Sequence, residues 1–129
     1  MADHDLASDV VALRPFVPAK DFDTSLRFYS DLGFSPFRLG ESMASMELGQ
    51  FSFLLHAFDR DDFAGNFVMH LLVKNVDPWW SRIKALDLAG RYGVPAPLAP
   101  ELQPWGLVVA YVFDPSGVLW HIAEPHPAR

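Results

Sequence analysis

The chain repeats itself, and the repeat limits its fold more than any other feature. Residues 10–58 and 67–124 follow one plan: a short apolar strand, a helix with one apolar stripe, then three more strands. The first strand reads Val10-Val11-Ala12-Leu13-Arg14-Pro15-Phe16-Val17, and its counterpart reads Phe67-Val68-Met69-His70-Leu71-Leu72-Val73. Phe22, Leu26, Tyr29 and Leu32 recur as Val76, Trp80, Ile83 and Leu86. Their i, i+4, i+7, i+10 spacing is that of a helix burying one face. The first strands match at an offset two residues larger than the helices, which pairs Arg14 with His70 and Val17 with Val73. In the last strands Leu54-Leu55-His56 recurs as Leu119-Trp120-His121.

Caps and turns agree with this plan. Asp21 or Asp23 stands ready to cap the first helix, and Asp77-Pro78 opens the second, an Asp N-cap followed by a proline pre-set for the first turn. Strands are expected over 34–39, 42–48 and 51–58 in the first repeat, and over 107–113 and 118–123 in the second. Pro95, Pro97, Pro100 and Pro104 weaken the strand directly after the second helix. Asp114-Pro115-Ser116-Gly117 suits a type I turn between antiparallel strands. The expectation is an α+β fold of two tandem βαβββ modules, 10–58 and 67–124, in a single domain over 1–129. A module of this size buries little surface by itself, so each needs the other, or a second chain, against its sheet.

Composition narrows the function. Half of the 129 residues are hydrophobic, enough for a real core. The net charge of −6 argues against nucleic acid and anionic membranes as partners, since both reward Lys- and Arg-rich surfaces. The absence of cysteine excludes disulfides, thiolate metal sites and cysteine nucleophiles. No apolar run reaches the roughly 18–20 residues that span a bilayer. The acidic start Met1-Ala2-Asp3-His4-Asp5 does not read as a signal peptide, so a soluble cytoplasmic protein is expected.

Two segments carry a family resemblance. Val17-Pro18-Ala19-Lys20-Asp21-Phe22-Asp23-Thr24-Ser25-Leu26-Arg27-Phe28-Tyr29-Ser30-Asp31-Leu32-Gly33-Phe34 is one. Gln103-Pro104-Trp105-Gly106, followed by Asp114-Pro115-Ser116-Gly117-Val118-Leu119-Trp120-His121, is the other. They resemble the strand-to-helix segment and the closing segment of the vicinal-oxygen-chelate superfamily, which includes glyoxalase I, bleomycin-resistance proteins and extradiol dioxygenases. The look is closest to the bleomycin-resistance members. The resemblance implies a curved mixed sheet around a cavity, with the helices outside, and a homodimer.

It also implies where chemistry would sit. Metal-using relatives draw one ligand from the first strand and one from the last strand of each module. Carried over, those positions are Arg14, His56, His70 and His121, and the internal repeat pairs the same four. Three neutral imidazoles suit one divalent ion, Zn, Ni, Fe or Mn. Arg14 breaks the pattern: a guanidinium cannot coordinate, repels a dication, and instead grips a carboxylate or phosphate. No Glu stands among the four. The cofactor is thus either one such ion or none. Without it, Arg14 and the histidines line a pocket for an anionic or aromatic molecule.

Other residues are weighed beside these. Trp105, in the Pro-rich loop, either stacks on a ligand or anchors the loop. Trp80 lies on the buried stripe, whereas Trp79 lies off it. Trp120, Phe53 and Leu55 alternate with His121 and His56 and so face the opposite side, while Leu54 and Phe58 share the His56 side. Tyr111 is a candidate ligand-binding residue, and Glu47 a candidate base or extra ligand. Three functions stay open: a small-molecule-binding protein lined by Arg14 and three His; a metal-dependent lyase, isomerase or dioxygenase; and a non-catalytic drug-sequestering resistance protein.

Overall fold

A computed structural model describes residues 6–58 and 64–125. A one-turn helix, α1 (Leu6–Asp9), precedes β1 (Phe16–Ala19). Then come α2 (Phe22–Leu32), β2 (Ser35–Arg38), β3 (Met43–Leu48) and β4 (Phe51–Ala57). The second half runs β5 (Val68–Leu72), α3 (Val76–Leu86), α4 (Leu88–Tyr92), β6 (Leu98–Leu102), β7 (Leu107–Phe113) and β8 (Leu119–Pro125). The strands form two four-stranded mixed sheets, ordered β1-β4-β3-β2 and β5-β8-β7-β6. This is the α+β fold expected from the repeat, with the short helix α4 added.

Proline helps to explain the strand order. A proline has no N–H to give to a ladder, so it belongs on an edge strand. Pro18 lies in β1, Pro36 in β2 and Pro100 in β6, and all three are edge strands. In β6 the cost is visible as a register shift between Leu98 and Glu101. The first strand starts later than expected: residues 10–15 lie outside it and are exposed, and the Pro15 carbonyl accepts from the Leu54 N–H at 2.9 Å.

Helix starts follow the side chains that best reach an N–H. Asp21 caps α2, accepting from the Thr24 N–H at 3.2 Å. At α3 the expected Asp77 cap gives way to Asn75, whose side chain accepts from the Asp77 N–H at 3.3 Å. Glu124 from β8 takes the next orphan donor, the Val76 N–H, at 2.5 Å.

Each helix lies on one face of its sheet, and the core fills the space between. Val17, Ala44, Met46, Phe53 and Leu55 are buried beneath α2, and Ala110, Val112, Trp120 and Ile122 beneath α3. Tyr29 joins the two halves: its ring lies 4.9 Å from Phe53 and 5.5 Å from Trp120. Trp79 and Trp80 are both half-buried against this core, and Trp79 lines a notch with Leu32, Leu48 and Pro78. Among the described residues, the helix–strand packing is that of α2 on β2 and β4 and of α3 on β6, β7 and β8, which leaves the other face of each sheet without a closely packed helix.

Candidate ligand-binding site

Strand alternation puts chemistry on those uncovered faces. In the first sheet, Phe53 and Leu55 point to the core, so Leu54 and His56 point away. The ladders set Pro18 on one side of His56 and Met43 on the other. Phe16 and Phe58 meet the imidazole edge-on, at ring separations of 5.9 and 6.1 Å. Phe16, Pro18, Met43, His56 and Phe58, with Asn66 and Phe67, line a cavity of about 740 Å³. That is within the usual range of small-molecule sites, about 300–1,000 Å³.

The second sheet presents a different surface. His70 and His121 face each other directly across the parallel β5–β8 ladder, with ring centroids 5.8 Å apart. Tyr111 sits opposite His121 on β7, its ring 4.9 Å away. Burial lowers the pKa of His121, and the neighbouring His70 lowers it further. Both effects favour neutral imidazole, the form that accepts a hydrogen bond or a metal.

The four repeat-paired positions do not converge within the described chain. His70 and His121 are neighbours, but His56 belongs to the cavity on the other sheet. Among the described residues no three His, Asp or Glu side chains stand close enough to hold a metal ion together. A pair of imidazoles with a phenol is an incomplete donor set for the divalent metals considered, so a three-histidine centre does not fit one chain. Arg14 is exposed ahead of β1 and does not line the cavity. The strand register shows why the repeat alignment misplaced it: Pro18 stands against His56 as His70 stands against His121. Pro18, four residues on, is therefore the structural counterpart of His70.

Trp105 is 55% exposed in the turn between β6 and β7, which closes with the Gly106 N–H donating to the Gln103 carbonyl at 2.9 Å. Glu47 is exposed on the His56 face of β3, opposite Ser52, and accepts from the Ser45 hydroxyl at 3.2 Å. The sequence reading passed over Phe16, Pro18 and Phe67 as cavity walls. Phe16 and Pro18 alternate along β1 with Val17 and Ala19 and so share the side of His56 once β1 is given its true register, although Pro18 is buried as well.

The sequence profile described as the Glyoxalase/Bleomycin resistance protein/Dioxygenase superfamily matches residues 9–122. The chain belongs to this superfamily. Among its members, a bleomycin resistance protein from Klebsiella pneumoniae is 28% identical over 113 residues, covering 85% of this chain and 89% of that protein. A bleomycin-binding protein solved in complex with bleomycin superposes with a TM-score of 0.77 at 26% identity, covering 89% of this chain and 98% of the other. A bleomycin resistance determinant encoded on the transposon Tn5 gives the same TM-score, 0.77, and identity, 26%, with coverage of 90% and 98%. The superfamily fold thus extends over nearly all of the described chain. No described helix is long and apolar enough to cross a membrane.

Proposed function

We propose that this protein binds a small organic molecule of the kind its bleomycin-binding relatives bind, and protects by holding it rather than by converting it. The observation that carries the reading is the apolar cavity of about 740 Å³ built around His56. Such a site gains affinity from buried apolar surface and orientation from a few polar groups. In this reading His56 is the polar contact inside the cavity. Arg14, two residues before Phe16, acts on an anionic oxygen, and Trp105, in the turn between β6 and β7 of the second sheet, acts by stacking on a ring. His70, His121 and Tyr111 supply hydrogen bonds from the second uncovered face, and Glu47 plays no part in catalysis.

The protein acts as a homodimer in this proposal. The uncovered faces carry exposed Phe16, Phe37, Val68, Leu72 and Leu98, and a second copy would bury them and close the cavity. A cytoplasmic location belongs to the same proposal; the cysteine-free sequence is compatible with either redox compartment.

Calorimetric titration with bleomycin tests this. The expected result is saturable binding near one molecule per chain, a raised Tm in its presence, and unchanged ligand mass after prolonged incubation. Absence of binding heat and of any Tm shift removes the reading. Light scattering should give about twice the 14.5 kDa chain mass, and a strict monomer at micromolar concentration would count against the dimer.

The facing pair His70 and His121 favours a second reading, a metal-dependent lyase, isomerase or dioxygenase. A third imidazole would then come from His56 of another copy. Elemental analysis after loading with Zn²⁺, Ni²⁺, Mn²⁺ or Fe²⁺ decides: about one ion per chain, lost in His56→Ala as well as in His121→Ala, is required.

A further inference from the structure

The turn 114–117 belongs to the second half of the chain, yet it holds two walls of the cavity on the first sheet. β1, which supplies Phe16 and Pro18, is a four-residue edge strand paired on one side, and Pro18 gives it no N–H for a ladder. At its end the Ala19 carbonyl accepts from the Phe58 N–H at 2.8 Å, within the same sheet. The next N–H, that of Lys20, turns away from the sheet and donates to the Ser116 hydroxyl at 2.9 Å, 96 residues along the chain. Ser116 is 5% exposed, and its own N–H donates to Asp114 Oδ1 at 2.8 Å. Asp114 is in turn bonded to the Tyr29 phenol from α2. The hydroxyl therefore stands on a buried, hydrogen-bonded base.

The same turn meets the other wall. A Cβ added at Gly117 would stand 3.8 Å from Gly65 Cα, so the turn lies against the residue just before Asn66 and Phe67. Two residues on, the Leu119 N–H donates to the Phe67 carbonyl at 3.0 Å. Residues 116–119 thus support the cavity from behind on both sides. A bond that fixes the end of a short strand also fixes the side chains on it, and a binding site depends on such support.

We propose that Ser116 is a positioning residue for ligand binding: acting through the Lys20 N–H rather than on the ligand, its hydroxyl sets the Phe16–Pro18 wall of the cavity against the Phe67 wall. This role presupposes that the cavity is the binding site, as proposed above.

Three variants of the full chain test it beside the native protein: Ser116→Ala, Ser116→Thr and, as a control for lost stability alone, Ile83→Val in the core beneath α3. Each is titrated with bleomycin by calorimetry and followed by NMR and amide hydrogen exchange. Ser116→Ala should speed exchange of the Lys20 amide about tenfold, shift the His56 ring and Met43 methyl signals, and raise the bleomycin Kd about fivefold, the effect of losing one ordinary hydrogen bond. Ser116→Thr, which keeps the hydroxyl, should bring the Kd back to within about twofold of the native value. Ile83→Val should lower the Tm and leave the Kd and the cavity signals as they are, since a core cavity costs stability without moving β1. The positioning role is overturned if Ser116→Ala binds bleomycin as the native chain does, or if Ile83→Val weakens binding as much as Ser116→Ala. A native chain that binds no bleomycin removes the small-molecule reading instead. The hold of Ser116 on the cavity is then decided by the His56 and Met43 signals, which should move in Ser116→Ala and not in Ile83→Val; signals that stay in place remove it too.

Discussion

Tyr29 and Asp114, 85 residues apart, are joined by a buried hydrogen bond of 2.5 Å from the phenol to Oδ2. The same phenolic oxygen accepts from the Trp120 indole at 2.9 Å. Asp114 also accepts from the Ser116 and Val118 N–H groups through Oδ1, at 2.8 and 2.9 Å. The helix of the first half is thereby tied to the last hairpin of the second. Tyr29→Phe keeps the ring and removes the bridge, leaving Asp114 Oδ2 and the Trp120 N–H buried without partners. Urea unfolding should show a loss of about 2–3 kcal/mol with an unchanged m-value. A loss below about 0.5 kcal/mol would mean that water replaces the hydroxyl.

Burial raises the pKa of Asp114, against the lowering effect of its hydrogen bonds from Tyr29, Val118 and Ser116. The sign of the resulting pH dependence is opposite to that of an ordinary paired carboxylate. Below the unfolded value of about 3.9 the group is protonated in both states. As pH rises from there to the raised folded value, the unfolded chain loses its proton first, the folded state holds the extra proton, and stability falls. Asp114→Asn removes this contribution. The stability of the native chain minus that of Asp114→Asn should therefore shrink as pH rises through that window and level off above it. Paired urea titrations measure it, and a difference that grows with pH would show that the hydrogen bonds outweigh burial.

Ser25 is fully buried on α2, and among the described residues its hydroxyl has no hydrogen-bond partner. An unsatisfied buried hydroxyl is unfavourable, and alanine is the better helix former. Ser25→Ala should stabilise the protein by about 0.5–1 kcal/mol, read as a raised Tm. A destabilised variant would reveal that the hydroxyl has a partner after all.

Local pattern carried much of the fold, and long-range pairing accounts for the rest. The stripe Phe22, Leu26, Tyr29, Leu32 was readable because helix period depends only on neighbours, and the 114–117 turn because Pro115 and Gly117 act locally; its closing bond runs from the Gly117 N–H to the Asp114 carbonyl at 3.0 Å. Trp120 was correctly placed on the core side of its strand by alternation with His121. The start of β1 was not readable. Val10 and Val11 have the β-branched look of a strand but no ladder to join, and the true start depends on where Leu54 lies in a strand some 40 residues away. That shift of register is what placed Arg14, rather than Pro18, opposite the His70 position. The separation of His56 from His70 and His121 was equally hidden, because it depends on how two sheets are set against one core.

His121 provides the last test, since its environment is set by that same arrangement. Its pKa is lowered first by burial and second by the charge of nearby His70. In chelator-treated protein its ring protons should titrate below the ordinary value of about 6.5 in an NMR series. His70→Ala should move the midpoint upward only part of the way, because the larger cause remains. A folded value below the unfolded one makes this histidine a source of stability above about pH 6.5, lost as pH falls through the depressed value. A midpoint at or above the ordinary value would mean that the uncovered face is wetter than its packing implies, and a full return in His70→Ala would make charge, not burial, the dominant cause.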